Sequence, residues 1–159
     1  EGRPPALRLR ASAGEWTVTD LLHGTYTGVV DDLVLRRNDG VPAYNLTVVV
    51  DDNGLGIDQV VRGDDLLPST PRQAYLADLL GLPPFEYARV PLAVNADGKR
   101  LAKRDGAVTL GDQVALGRSP GDVVALLAES LGLGPTRTPQ EALAVFDPSR
   151  LPREPWIAV

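Results

Sequence analysis

The chemistry-bearing residues of this chain concentrate in a few short strings. The loop DGKRLAKRDG, Asp97 to Gly106, carries four cations between two glycines and holds both lysines of a chain that otherwise uses arginine. Ammonium groups on flexible stems at a strand end suit a polyphosphate, whose negative charge grows during transfer and needs cationic clamps. A solvated basic surface loop is the competing reading. In VVRGDD, Val60 to Asp65, an arginine closes an apolar strand. It is placed to grip a carboxylate through two parallel hydrogen bonds at the strand-end crevice, or to pair locally with Asp64 or Asp65. Tyr44 and Asn45 follow a Gly-Val-Pro turn and can bring a phenol and an amide to the same crevice. His23, the sole histidine, has no cysteine or acidic partner at ligand spacing, which makes it weak evidence for a metal or a general base. The pairs Asp31-Asp32 and Asp51-Asp52 diverge on any regular element and are expected as solvated caps rather than a magnesium site. No Ser/His/Asp grouping, Gly-rich phosphate loop or zinc spacing is present.

The elements that must position these groups read as follows. Ala6 to Asp20 alternates apolar and polar residues on either side of Ser12–Gly14, which predicts a hairpin of two short strands. His23 to Gly28 is loop-like, Asp32 to Arg37 is a third strand, and Asn38-Asp39-Gly40 is a turn that ends it. Ala43 to Asp52 (AYNLTVVVDD) is a strand by β-branched content, with helix an open alternative. Asp58 to Arg62 is a short strand. Thr70 is expected as the N-cap of a helix over 72–80 with Pro71 at its first position, and Arg89 to Val94 as a further strand. Strand, helix, strand over this span is the βαβ signature of a parallel sheet. Pro120 to Leu131 and Pro139 to Phe146 are amphipathic helices, the second capped by Thr138.

Composition narrows the classes. With 159 residues, 43% hydrophobic and 23% charged, the chain is one globular domain or a piece of a larger one. Its longest apolar run, Val123 to Ala128, is far short of the ~20 residues that span a bilayer. A net charge of −5 argues against a general nucleic-acid binder but allows a local basic patch. No cysteine excludes a disulfide framework or thiolate metal site within the chain, and no methionine suggests a natural start upstream of Glu1.

Taken together, DDLVLRRNDGVPAYNLTVVVDD, VVRGDDLLPSTPRQAYLADLLG and NADGKRLAKRDGAVTL resemble, in order and spacing, the catalytic half of the glutamate-specific class I aminoacyl-tRNA synthetases. The likeness runs from about Leu7 to the end. It is greatest to the branch that activates glutamate with ATP without needing tRNA, then esterifies it to the queuosine base in the anticodon loop of tRNA(Asp). The resemblance implies an α/β fold, part of a Rossmann-like, parallel-sheet nucleotide-binding domain. Residues 1–40 would close an inserted acceptor-binding β region, 41–110 would form the second half of the catalytic domain, and 111–159 a C-terminal helical region. The family's segment matching AYNLTVVVDD is helical, which favours helix here.

The same resemblance places the family's KMSKS loop on Arg100, Leu101, Ala102, Lys103 and Arg104. Lys103 matches the lysine that binds ATP and stabilises the pentavalent phosphate; Arg100 stands in place of the first lysine and Ala102 in place of the serine, whose hydroxyl contact is lost. Tyr44 and Arg62 match glutamate-contacting residues. ATP with Mg²⁺, glutamate and tRNA(Asp) are the implied substrates and partners, in a cytoplasmic monomer without membrane attachment. The family's HIGH motif and zinc-binding cysteines have no counterpart and would lie before Glu1, so no metal ligand is assigned in this chain, and the fragment alone is expected to be inactive. A glutamyl-tRNA synthetase fragment and a non-catalytic synthetase-derived module are the alternatives.

Overall fold

The computed structural model describes residue 2 and residues 4–101 and 109–157. They group into two compact units, Glu1–Arg89 and Val90–Val159, a division that cuts inside the 41–110 region named above.

In the first unit, β2 (Glu15–Asp20) and β3 (Gly24–Val29) form an antiparallel hairpin in register from Glu15 opposite Val29 to Asp20 opposite Gly24. β2 also pairs in parallel with β6 (Glu86–Val90), and β6 neighbours β5 (Gln59–Gly63), giving the sheet order β3-β2-β6-β5. β5 reaches β6 through a 3₁₀ turn (Asp64–Ser69) and α2 (Thr70–Leu79), the helical crossover characteristic of α/β sheets. The expected hairpin of residues 6–20 does not form. β1 (Leu7–Arg8) instead pairs antiparallel with β4 (Val34–Arg36), and the intervening backbone is drawn to α2, where the Ser12 N–H donates to Tyr75 Oη at 3.1 Å. The hairpin partner of β2 is the segment expected as a loop. Gly24 (φ +71°) makes its turn, and Gly28 leaves room for Pro71, whose Cγ would lie 2.9 Å from a Cβ at that position.

α1 (Tyr44–Gly54) is a helix despite three consecutive valines. β-branching costs a helix only tenths of a kcal/mol per residue, so burial decides. Val49 is buried with Leu33, Leu76 and Ala77, and Leu46 and Val48 pack against the same cluster. A second cluster joins Val18, Val60 and Tyr87 under Trp16, whose ring lies 5.2 Å from that of Tyr75. Thr70 does not cap α2 as expected. It follows the 3₁₀ turn as the first helical residue, and its fully buried hydroxyl donates to the Leu66 carbonyl at 3.2 Å.

In the second unit, β7 (Ala93–Val94) pairs in parallel with β8 (Trp156–Ile157). The expected single strand over 89–94 is two, because Pro91 has no N–H to continue a ladder. Among the described residues three α-helices follow, α3 (Leu110–Ala115), α4 (Pro120–Ser130) and α5 (Pro139–Val145). Each opens with a capping box: Thr109 with Asp112, Ser119 with Asp122, and Thr138, the expected cap, with Glu141.

Candidate active site

Strand periodicity places Val60 and Arg62 on one face of β5, with Gln59 and Val61 on the other, exposed face. Val60 anchors that face in the core, and Arg62 carries it to the strand end. Its guanidinium is held at two points. Nη1 donates to Tyr44 Oη at 3.1 Å, and Nη2 donates to Asp52 Oδ2 at 3.1 Å, an ion pair with the arginine side chain 18% exposed. The guanidinium carbon lies 5.9 Å from the centre of the Tyr44 ring. Tyr44 and Asp52 are eight residues apart, about two turns along α1, so one helix side offers a hydroxyl and a carboxylate to a single arginine.

Arg62 therefore pairs across to α1 rather than with Asp64 or Asp65 as the local reading allowed. Tyr44 and Arg62, matched independently by resemblance, are brought together, with the phenol exposed to solvent. Asn45 is not turned to the same place: its Oδ1 accepts from Gln73 Nε2 at 3.1 Å, tying α1 to the buried side of α2. Asp52, Arg62 and Gln73 line a small cleft with Val48, Val49, Val60, Phe85 and Tyr87. Burial pushes the Tyr87 phenol up to about 12, so it is a neutral wall of this cleft at physiological pH.

Asp31 and Asp52, expected as solvated caps, are ion-paired. Asp31 Oδ1 sits 3.0 Å from Arg72 Nε, while Asp32 Oδ1 accepts from the Ala11 N–H at 2.8 Å. His23 is structural: its Nε2 lies 3.1 Å from the Arg89 carbonyl oxygen. Among the described residues no cluster of three or more His, Cys, Asp or Glu could hold a metal ion.

The basic loop begins on a tight hairpin of the second unit. Asn95 Oδ1 accepts from the N–H groups of Asp97 (3.1 Å) and Lys99 (2.9 Å), Gly98 turns the chain at φ +73°, and the Leu101 N–H returns to the Ala93 carbonyl at 3.1 Å. A bridge between Val94 and Arg100 completes it, leaving Lys99 and Arg100 on the surface. Ala102, Lys103 and Arg104 lie outside the described residues.

One residue of the site region went unread in the sequence. Arg89, the fourth of the five residues of β6, is fully buried; its Nε and Nη2 donate to Thr70 Oγ1 at 3.0 and 2.8 Å, and its Nη1 donates to the Val60 carbonyl at 3.1 Å. Its guanidinium lies 5.2 Å from the centre of the Tyr87 ring. Its sequence signal is a charge between Ala88 and Val90, where a strand in a sheet interior has only apolar neighbours.

Comparison with known proteins places this geometry in a family. Residues 1–136 match the family described as tRNA synthetases class I (E and Q), catalytic domain. The chain is 69% identical over 157 residues to the glutamyl-Q tRNA(Asp) synthetase of Nocardia farcinica, an overlap of 99% of this chain and 50% of that protein. It is 41% identical over 161 residues to the glutamate–tRNA ligase of Nitrosospira multiformis, covering 97% of this chain and 35% of the other. The crystal structure of glutamate-tRNA synthetase from Elizabethkingia anophelis superposes with a TM-score of 0.80 at 22% identity, over 97% of this chain and 36% of that one, and so shares its fold. The chain spans half the length of its Nocardia relative or less of the others, and no helix among its described residues is long and apolar enough to cross a membrane. By sequence match and by fold, this chain belongs to the class I tRNA synthetases of the E and Q type.

Proposed function

We propose that this chain supplies the glutamate contacts and the KMSKS-like loop of an ATP-dependent ligase that activates glutamate and transfers it to queuosine in the anticodon loop of tRNA(Asp). The observation that carries the reading is the arginine held by one phenol and one carboxylate at the end of β5. A guanidinium fixed at two points is already oriented when a substrate carboxylate arrives, so less ordering entropy is lost on binding. In the reaction, a carboxylate oxygen of glutamate attacks the α-phosphorus of ATP. The bond from that phosphorus to the bridging oxygen breaks, pyrophosphate leaves, and glutamyl-adenylate remains. Lys103 and Arg100 offset the phosphate charge as it grows, with Leu101, Ala102 and Arg104 completing the loop around ATP. The queuosine hydroxyl then attacks the adenylate carbonyl and releases AMP.

The residues 1–40, 41–110 and 111–159 correspond in this reading to insert, catalytic half-domain and helical region. ATP enters with its Mg²⁺; the family's zinc fits no residue here, and no step runs through it. The enzyme acts on its RNA as a cytoplasmic monomer.

The test is glutamate-dependent exchange of pyrophosphate into ATP by the full-length enzyme. Arg62→Ala should raise the KM for glutamate, and Lys103→Ala should lower kcat; wild-type values in both would sink the reading. The relationship to glutamate–tRNA ligases supports a second reading, charging of tRNA(Glu). Glutamylation of queuosine-containing tRNA(Asp) but not of tRNA(Glu) distinguishes the two.

A further inference from the structure

We propose that Arg89 is a positioning residue for the glutamate site, holding β5 so that Arg62 faces the substrate. The inference rests on the glutamate-binding reading of Arg62.

The inference follows from the hydrogen bonds of Arg89. Its fork spans two elements, the Val60 carbonyl of β5 and the Thr70 hydroxyl at the start of α2. Val60 precedes Arg62 by two residues on the same face of the strand, so a contact that fixes the Val60 peptide also fixes the direction in which Arg62 leaves the sheet. The fork in turn is braced by Tyr87 beneath its plane, and the Arg89 peptide oxygen meets His23 Nε2 at 3.1 Å.

Arg89 is fully buried, and among the described residues it makes its hydrogen bonds to neutral oxygens. Burial, and then the charge of Arg62, hold its guanidinium below its ordinary pKa, and the charge of Asp20, a carboxylate 1% exposed, opposes them.

The test compares Arg89→Met and Arg89→Lys in the full-length enzyme by pyrophosphate exchange, with the active fraction counted by a single-turnover burst. Arg89→Met should raise the KM for glutamate about tenfold or more, the scale of displacing an oriented binding group by part of an ångström, with the KM for ATP within about twofold. Arg89→Lys, which offers ammonium donors but not the planar fork that reaches both Thr70 and Val60, should recover part of that loss. A strut without a role in glutamate binding would lower only the active fraction and the thermal midpoint, and a glutamate KM within twofold of wild type in the folded fraction overturns the proposal. Where Arg89→Met yields no folded protein, the lysine variant decides: a glutamate KM raised several-fold with unchanged ATP KM supports it, and a wild-type value overturns it. Arg62→Ala in the same assay separates the two failures. If Arg62→Ala raises the glutamate KM and the Arg89 variants do not, only this inference falls; if Arg62→Ala leaves it unchanged, the glutamate assignment falls first.

Discussion

Thr70 is the residue through which the buried network can be weighed without touching a charge. Its hydroxyl oxygen accepts two hydrogen bonds from Arg89, at 3.0 and 2.8 Å, in a position with no solvent exposure. Thr70→Val keeps the shape and opens no cavity, so the change isolates those two bonds. Both donors belong to a cation, and water has no route to replace the lost acceptor. A buried donor left unpaired costs about 1–3 kcal/mol, more when charged, and rotation of the guanidinium recovers part of it. The Thr70 donation to the Leu66 carbonyl adds little, because that oxygen also accepts from Ser69 Oγ at 2.8 Å. The expected net cost is about 2–4 kcal/mol. Hydrogen exchange of the full-length protein, followed on peptides covering β6 and α2, measures it as a drop in local opening free energy, with Thr70→Ser losing about 1 kcal/mol or less because its acceptor survives. Opening energies in Thr70→Val within about 0.5 kcal/mol of wild type would refute the claim that these two bonds hold β6 to α2.

Other consequences follow from packing and capping. Leu76→Ala empties a site 3% exposed in the first core cluster and should destabilise by about 2–5 kcal/mol in urea unfolding. Gly28→Ala drives a methyl group toward Pro71 Cγ at 2.9 Å and the Tyr26 ring at 3.0 Å; an overpacking cost of about 1–3 kcal/mol should appear in the same measurement. The Asp122 carboxyl is held at about 2, below its ordinary 3.8, by the Ser119 hydroxyl first, then the Ser119 N–H and Arg137. Its folded pKa is the lower one, so its contribution to α4 is complete above about pH 3.8 and is lost as pH falls through about 2. A carboxyl-carbon NMR titration should find that low midpoint, and Ser119→Ala should move it upward.

How much of this was legible in the residue order differs by element. The turn at Asn38–Gly40, the strand at β5, and the cap of α5 follow from local chemistry: Gly40 adopts φ +86°, and Thr138 accepts the Glu141 N–H as its residue type predicts. The three ordered motifs also identified the family and brought forward Tyr44 and Arg62, which the fold sets 3.1 Å apart. The strand at 24–29 was hidden by its glycines, which weaken local preference but are needed for a turn and for the approach of Pro71. The helix at Tyr44 is hidden from local propensity by its valines, and it was the family resemblance that favoured it.

Partner choice, by contrast, was settled only in three dimensions. A sequence of this kind determines which residue types are at hand, a carboxylate-gripping arginine, a phenol, a cluster of cations, because type and short-range periodicity are local properties. It does not say that Arg62 passes over Asp64 and Asp65 for Asp52, or that an arginine in β6 is buried with its hydrogen bonds, among the described residues, made to Thr70 and the Val60 carbonyl. Those outcomes depend on which elements pack together, and packing is decided by apolar burial summed over residues far apart in the chain. The ion pairs then form between whatever charged groups that burial has brought within reach.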